Sequence, residues 1–131
     1  RSATGFAEGV KFLAKAREVV DAEHRDQLEN LYRRAETARI HLQSAAEQGR
    51  FVEARDNYYF ARNSATRNEY IKIMREACAA EKKLITEALQ IVTRDSSIGY
   101  ESSNHYFFVP IDLVEAYISV LHVEEWLNEI S

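Results

Sequence analysis

The chain has 131 residues, 46% of them apolar and 29% charged, with a formal net charge of −4. That length fits one domain with its own core, and the composition excludes a wholly disordered chain. The acidic balance, without a lysine or arginine block, excludes the basic footprint that a nucleic-acid partner requires. No window reaches the roughly 20 apolar residues of a membrane span, and the lone cysteine, Cys78, leaves no internal disulfide to form.

Four glycines and one proline punctuate the sequence and divide it into five predicted helices. The first, over residues 4–20, places Phe6, Val10, Leu13 and Val20 on one stripe, with Thr4 as a cap and Asp21 capping or kinking the chain beyond it. The second, over 22–48, alternates spacings of three and four through Leu28, Leu31, Ala35, Ala38, Leu42 and Ala45, a seam of coiled-coil type. Gly49 is placed to end it in the left-handed conformation.

A third helix is expected over 51–62, with Phe51, Ala54, Tyr58 and Ala61 inward, stopping in the polar run Asn63, Ser64, Ala65, Thr66. The fourth spans 66–93 along Tyr70, Ile73, Ala77, Leu84, Ala88 and Ile91, and Cys78 is expected as a small core residue. Glu81 falls on that stripe, where it is expected to snorkel or to pair with a lysine or arginine at the bundle edge. The fifth, over 110–129, opens with Pro110 and carries Asp112 where a negative charge suits the helix dipole. Its stripe is Leu113, Ala116, Val120, Val123, Leu127 and Ile130. Short connections between long helices predict an all-α, up-and-down bundle of four to five helices, with one long ordered loop before the last. Residues 106–109 suit a short extended piece but offer it no obvious strand partner.

No catalytic constellation emerges. A carboxylate-bridged metal site needs Glu-x-x-His on two helices; none occurs, Asp21-x-x-His24 being the nearest approximation, so neither a metal nor another cofactor is expected. Ser103, His105 and Glu101 alternate along one loop, which does not make a triad converge, and no nucleophile elbow is present. Asp95 and Glu101 have the chemistry of a glycosidase acid and base. The simpler expectation is that Asp95 binds backbone amides after the fourth helix and that Glu101 serves a cap or salt bridge. Tyr58, Tyr59, Phe60, Tyr100, Tyr106, Phe107, Phe108 and Trp126 either anchor the loop or form a platform on which sugar rings stack. Residues 49–61, GRFVEARDNYYFA, have the spacing of the second helix of a tetratricopeptide repeat, but no 34-residue period recurs.

Two stretches carry a resemblance. Residues 12–17, FLAKAR, with 31–42, LYRRAETARIHL, form the first, and residues 94–106, RDSSIGYESSNHY, form the second. Both resemble the C-terminal helical region of large secreted bacterial glycoside-hydrolase-like proteins, in which such a loop precedes the last helix. The pattern is broken at Ser97, where a larger or basic residue belongs, and at Val109, where a threonine would cap the helix. The resemblance implies a non-catalytic accessory domain packing against, or completing the cleft of, a catalytic domain in the same secreted or periplasmic parent. It also implies that Asp95, Tyr100, Glu101, Asn104, His105 and Tyr106 form an interdomain or glycan-binding loop. The start at Arg1 rather than methionine agrees with a fragment of a longer protein; a protein-interaction bundle of tetratricopeptide-like type is the alternative.

Overall fold

The computed structural model describes residues 2–98, 100, 101, 106, 107 and 109–131. Among the described residues are four helices: α1 (Ser2–Val19), α2 (Arg25–Phe60), α3 (Ser64–Val92) and α4 (Pro110–Glu129). They run up and down, each packing on the next in sequence order, so that α3 lies between α2 and α4. A loop precedes the last helix. Within it Tyr100–Glu101 pairs antiparallel with Tyr106–Phe107, so the short extended piece expected around 106 does find a partner.

Four helices replace five because α2 does not break at Gly49. It continues for 36 residues, about 54 Å at 1.5 Å per residue. Glycine inside a helix costs only about 1 kcal/mol relative to alanine, and the helix-favouring run Ala45, Ala46, Glu47, Gln48 leads directly into it. The packing is also continuous: Ile40, Ser44, Glu47, Phe51, Ala54 and Tyr58 follow spacings of four and three along one face. Ile40 and Ala54 on that face are 1% and 3% exposed. Gly49 lies off it, with open space where a Cβ would stand.

The predicted stripe through Leu28 and Ala45 is therefore not the main seam of α2, and Leu31 on it is 53% exposed. Residues 49–60 likewise form the last third of a single helix, with Ala61 as its C-cap, rather than the second arm of a hairpin. Helix–turn–helix geometry of tetratricopeptide type is absent from this segment.

Two clusters make the core, one toward each end of α3. Ile40, Leu84, Ile85, Ala88, Val92, Ile98 and Leu113 form the first. The second holds Ala54, Ile71, Met74, Cys78 and Leu127, with Tyr58 and Trp126 packed against it. Each joins α2, α3 and α4. Charged groups tie the same helices at the edges: Arg39 Nη2 to Glu87 Oε2 at 2.6 Å, Lys82 Nζ to Glu124 Oε2 at 2.6 Å, and Arg75 to Asn128 Oδ1 at 2.8 Å. Helix α1 is held more lightly. Val10 is its one buried hydrophobic residue among those described, and Arg17 reaches α2 at Glu29 Oε1 and over the Tyr32 ring, 2.6 and 4.3 Å away.

Local capping follows the sequence in part. Asn63 Oδ1 accepts the Thr66 amide at 2.8 Å and starts α3. Asp21 Oδ1 accepts the His24 amide at 2.9 Å and closes the turn before α2. Val109 offers α4 no side-chain cap, and the helix starts on Pro110 with Asp112 in its first turn.

The continuity of α2 gives a direct prediction. Gly49→Ala should stabilise the protein by about 0.5–1 kcal/mol, because alanine fits a helical position that is sterically open. Urea unfolding measures this. A left-handed helix end at residue 49 would make the same change destabilising.

Candidate functional site

Three features bear on function: the loop after α3, a groove beside α3, and the outer face of α4. The loop begins with Asp95. Its Oδ1 accepts the Ser97 hydroxyl at 2.6 Å and the Ser97 amide at 3.2 Å, and its Oδ2 lies 3.3 Å from Arg33 Nε on α2. Asp95 thus closes a turn and ties it to α2, as its expected role with backbone amides requires. Ile98 follows and is buried in the first core cluster. Of the remaining loop residues singled out, Asn104 and His105 lie outside the described residues. Tyr100, Glu101 and Tyr106 are placed in the backbone pairing alone.

Tyr58 and Trp126 pack at the second cluster, whereas the loop leaves α3 at the first. Met74 and Val92, which mark the two, are separated by 18 residues of helix, about 27 Å. Tyr59 and Phe60 project from the end of α2, 63% and 83% exposed. Tyr59 meets Tyr58 edge to face with ring centroids 5.5 Å apart, and Arg67 sits 5.8 Å from the Tyr58 ring. No cluster of metal-ligating side chains occurs among the described residues, nor any helix there long and apolar enough to cross a membrane.

The groove was not legible from the hydrophobic pattern. It is a cleft of about 350 Å³ with α3 as its floor and α2 and α4 as its walls. Ala77, Cys78 and Ile85 line the floor; Phe51 and Val52 stand on one wall, and Ala116, Val120 and Val123 on the other. Glu47 and Glu81 are the charged residues in this apolar lining. Glu81 Oε1 accepts the Ser44 hydroxyl at 2.6 Å and the Gln48 amide at 3.3 Å. Glu81 was expected to snorkel or to pair with a lysine or arginine; its donors are these two neutral groups. The other oxygen of each carboxylate, Oε2, is covered from water and has no hydrogen-bond partner. Cys78, 5% exposed, has its thiol pushed upward, first by burial and then by the neighbouring Glu124 carboxylate, so it is a weak nucleophile at neutral pH.

The outer face of α4 is the third feature. Ile111, Val114, Ile118 and Leu121 are 62%, 43%, 46% and 40% exposed. Their spacings of three, four and three put them on one stripe, opposite Leu113, Val120 and Leu127, which face the core. The sequence signal was available: α4 is apolar beyond the single stripe that packing on α3 needs. Its charged residues are all acidic, at Asp112, Glu115, Glu124, Glu125 and Glu129.

No family model matches the chain, and no curated protein or solved structure matches it either.

Asp95 carries a pH prediction. The Ser97 hydroxyl, then the Ser97 amide and Arg33, hold its carboxyl below the ordinary aspartate value. A group with a depressed folded-state pKa stabilises the fold above its unfolded pKa, about 3.9, and that contribution is lost as pH falls through the lower folded value. Asp95→Asn should therefore be less stable than the parent at pH 7, with the gap closing in acid. Thermal melts from pH 7 to pH 2 measure it; a gap independent of pH would remove the carboxylate as its cause.

Proposed function

We propose that the chain is a non-catalytic helical accessory domain of a carbohydrate-processing, glycoside-hydrolase-like protein, packing against the catalytic domain of its parent. The observation that carries this reading is the outward apolar stripe of α4. A helix that is apolar on two opposite faces is a helix made to be covered on both. Packing on α3 covers one. A contiguous apolar patch of this kind marks an interaction surface more often than a bare exterior.

The carbohydrate link rests on the resemblance of residues 94–106, and the position of that loop supports it. The loop runs directly into α4, so a domain resting on the α4 stripe would also meet the loop. Asp95 and Ile98 fix its first turn to the bundle, which makes it a preformed surface there. Tyr100, Glu101, Asn104, His105 and Tyr106 are then candidates for the interdomain boundary or for a glycan bound beside it. The reading carries with it a secreted or periplasmic parent, and chemistry performed by residues of the other domain.

Two measurements test it. The chain alone should turn over no aryl glycoside, and sustained hydrolysis would overturn the non-catalytic role. Ile118→Lys combined with Leu121→Lys should leave the unfolding midpoint of the isolated chain nearly unchanged, since both sites are exposed. In the parent the same pair should expose the interdomain boundary to limited proteolysis. Unchanged proteolysis would remove the α4 face as the docking surface.

A further inference from the structure

We propose that the groove over α3 is a second docking site, separate from the α4 outer face, and that it takes a short helical segment of another protein. The segment would be apolar on one face and would carry one lysine or arginine that reaches Glu81. The shape comes first. The floor runs from Ala77 to Ile85, eight residues or about 12 Å of helix, which matches two turns of a guest helix lying along α3. Small side chains at Ala77, Ala116 and Ser119 keep this length open, so apolar side chains from one face of a helix fit between the walls, as in helix-in-groove recognition.

Charge then selects the guest. The ionisable side chains lining the groove include two carboxylates and no lysine, arginine or histidine. Glu81 Oε1 is already supplied by Ser44 and Gln48, while its Oε2 has no donor. Glu47 Oε2 is similarly without a hydrogen bond, with Arg50 Nη1 3.6 Å away. A wholly apolar guest would seal Glu81 Oε2 in without a donor, and an acidic guest would add repulsion. A cationic side chain supplies the missing donor, and the soft terminal torsion of a glutamate lets the oxygen turn toward it. A bare metal ion is a poorer occupant, since no cluster of three metal-ligating groups lies among the described residues.

The test uses a displayed library of 14-residue amphipathic helices, randomised at one position in the middle of the apolar face and selected on the immobilised chain. Lysine or arginine should be enriched there. The selected peptide should lose at least about tenfold in affinity when that residue becomes norleucine, and again when the protein carries Glu81→Gln, the scale expected for one charge-assisted pair. Ala116→Trp, which fills the groove, should abolish binding; Ser119→Tyr serves the same purpose if the tryptophan variant does not fold by circular dichroism. Failure to enrich any peptide, enrichment of apolar or acidic residues, or affinity indifferent to Glu81→Gln would each overturn the proposal. None of these changes touches the outer stripe of α4, so the accessory-domain reading stands or falls separately.

Discussion

Burial of α3 between α2 and α4 is the constraint on which the rest of the structure depends. Eight of its residues are buried, from Ile71 to Val92, and both core clusters draw their centres from it. Met74 and Leu127, each 0% exposed, meet at one end. Ile40, Leu84 and Leu113 meet at the other. Neither α2 nor α4 has another surface of comparable apolar burial. Removing α3's inward side chains would leave α2 and α4 held to it mainly by edge ion pairs, which contribute little when exposed.

That arrangement also determines what is left open. Helices packed in sequence order leave α4 in contact mainly with α3, which covers one of its faces. The α4 stripe at Ile111, Val114, Ile118 and Leu121 is one consequence. The groove is the other: above Ala77 and Cys78 a cleft remains between α2 and α4, with Glu47 and Glu81 in it. Both features lie on the packed helices, so a partner would meet a preformed surface.

The helical class, the up-and-down order and most of α3 were legible because apolar residues there keep a helical period. Pro110 as a first helical residue and the polar run beginning at Asn63 as a helix break were legible for local stereochemical reasons; Asn63 as the cap of α3 was not singled out. The inner face of α2 was not. Its seam passes through Ser44 and Glu47, so hydrophobicity pointed to Leu28, Leu31 and Leu42 instead and hid Ile40. Gly49 misled for a related reason: a glycine between two apolar runs reads as a helix end, while continuity along Phe51, Ala54 and Tyr58 outweighs its local cost. Asp95 behaved as its residue type suggests, because an aspartate with a nearby serine closes a turn without long-range help. The groove could not be read from one chain's periodicity, since it depends on the spacing between α2 and α4.

Native-state hydrogen exchange tests the central role of α3 most directly. Amides from Met74 to Ala88 should exchange only through global unfolding, whereas those of α1, anchored by Val10 and by contacts around Arg17, should exchange through local opening at lower free energy. Protection of α1 equal to that of α3, or of α4 above α3, would contradict an architecture built around α3.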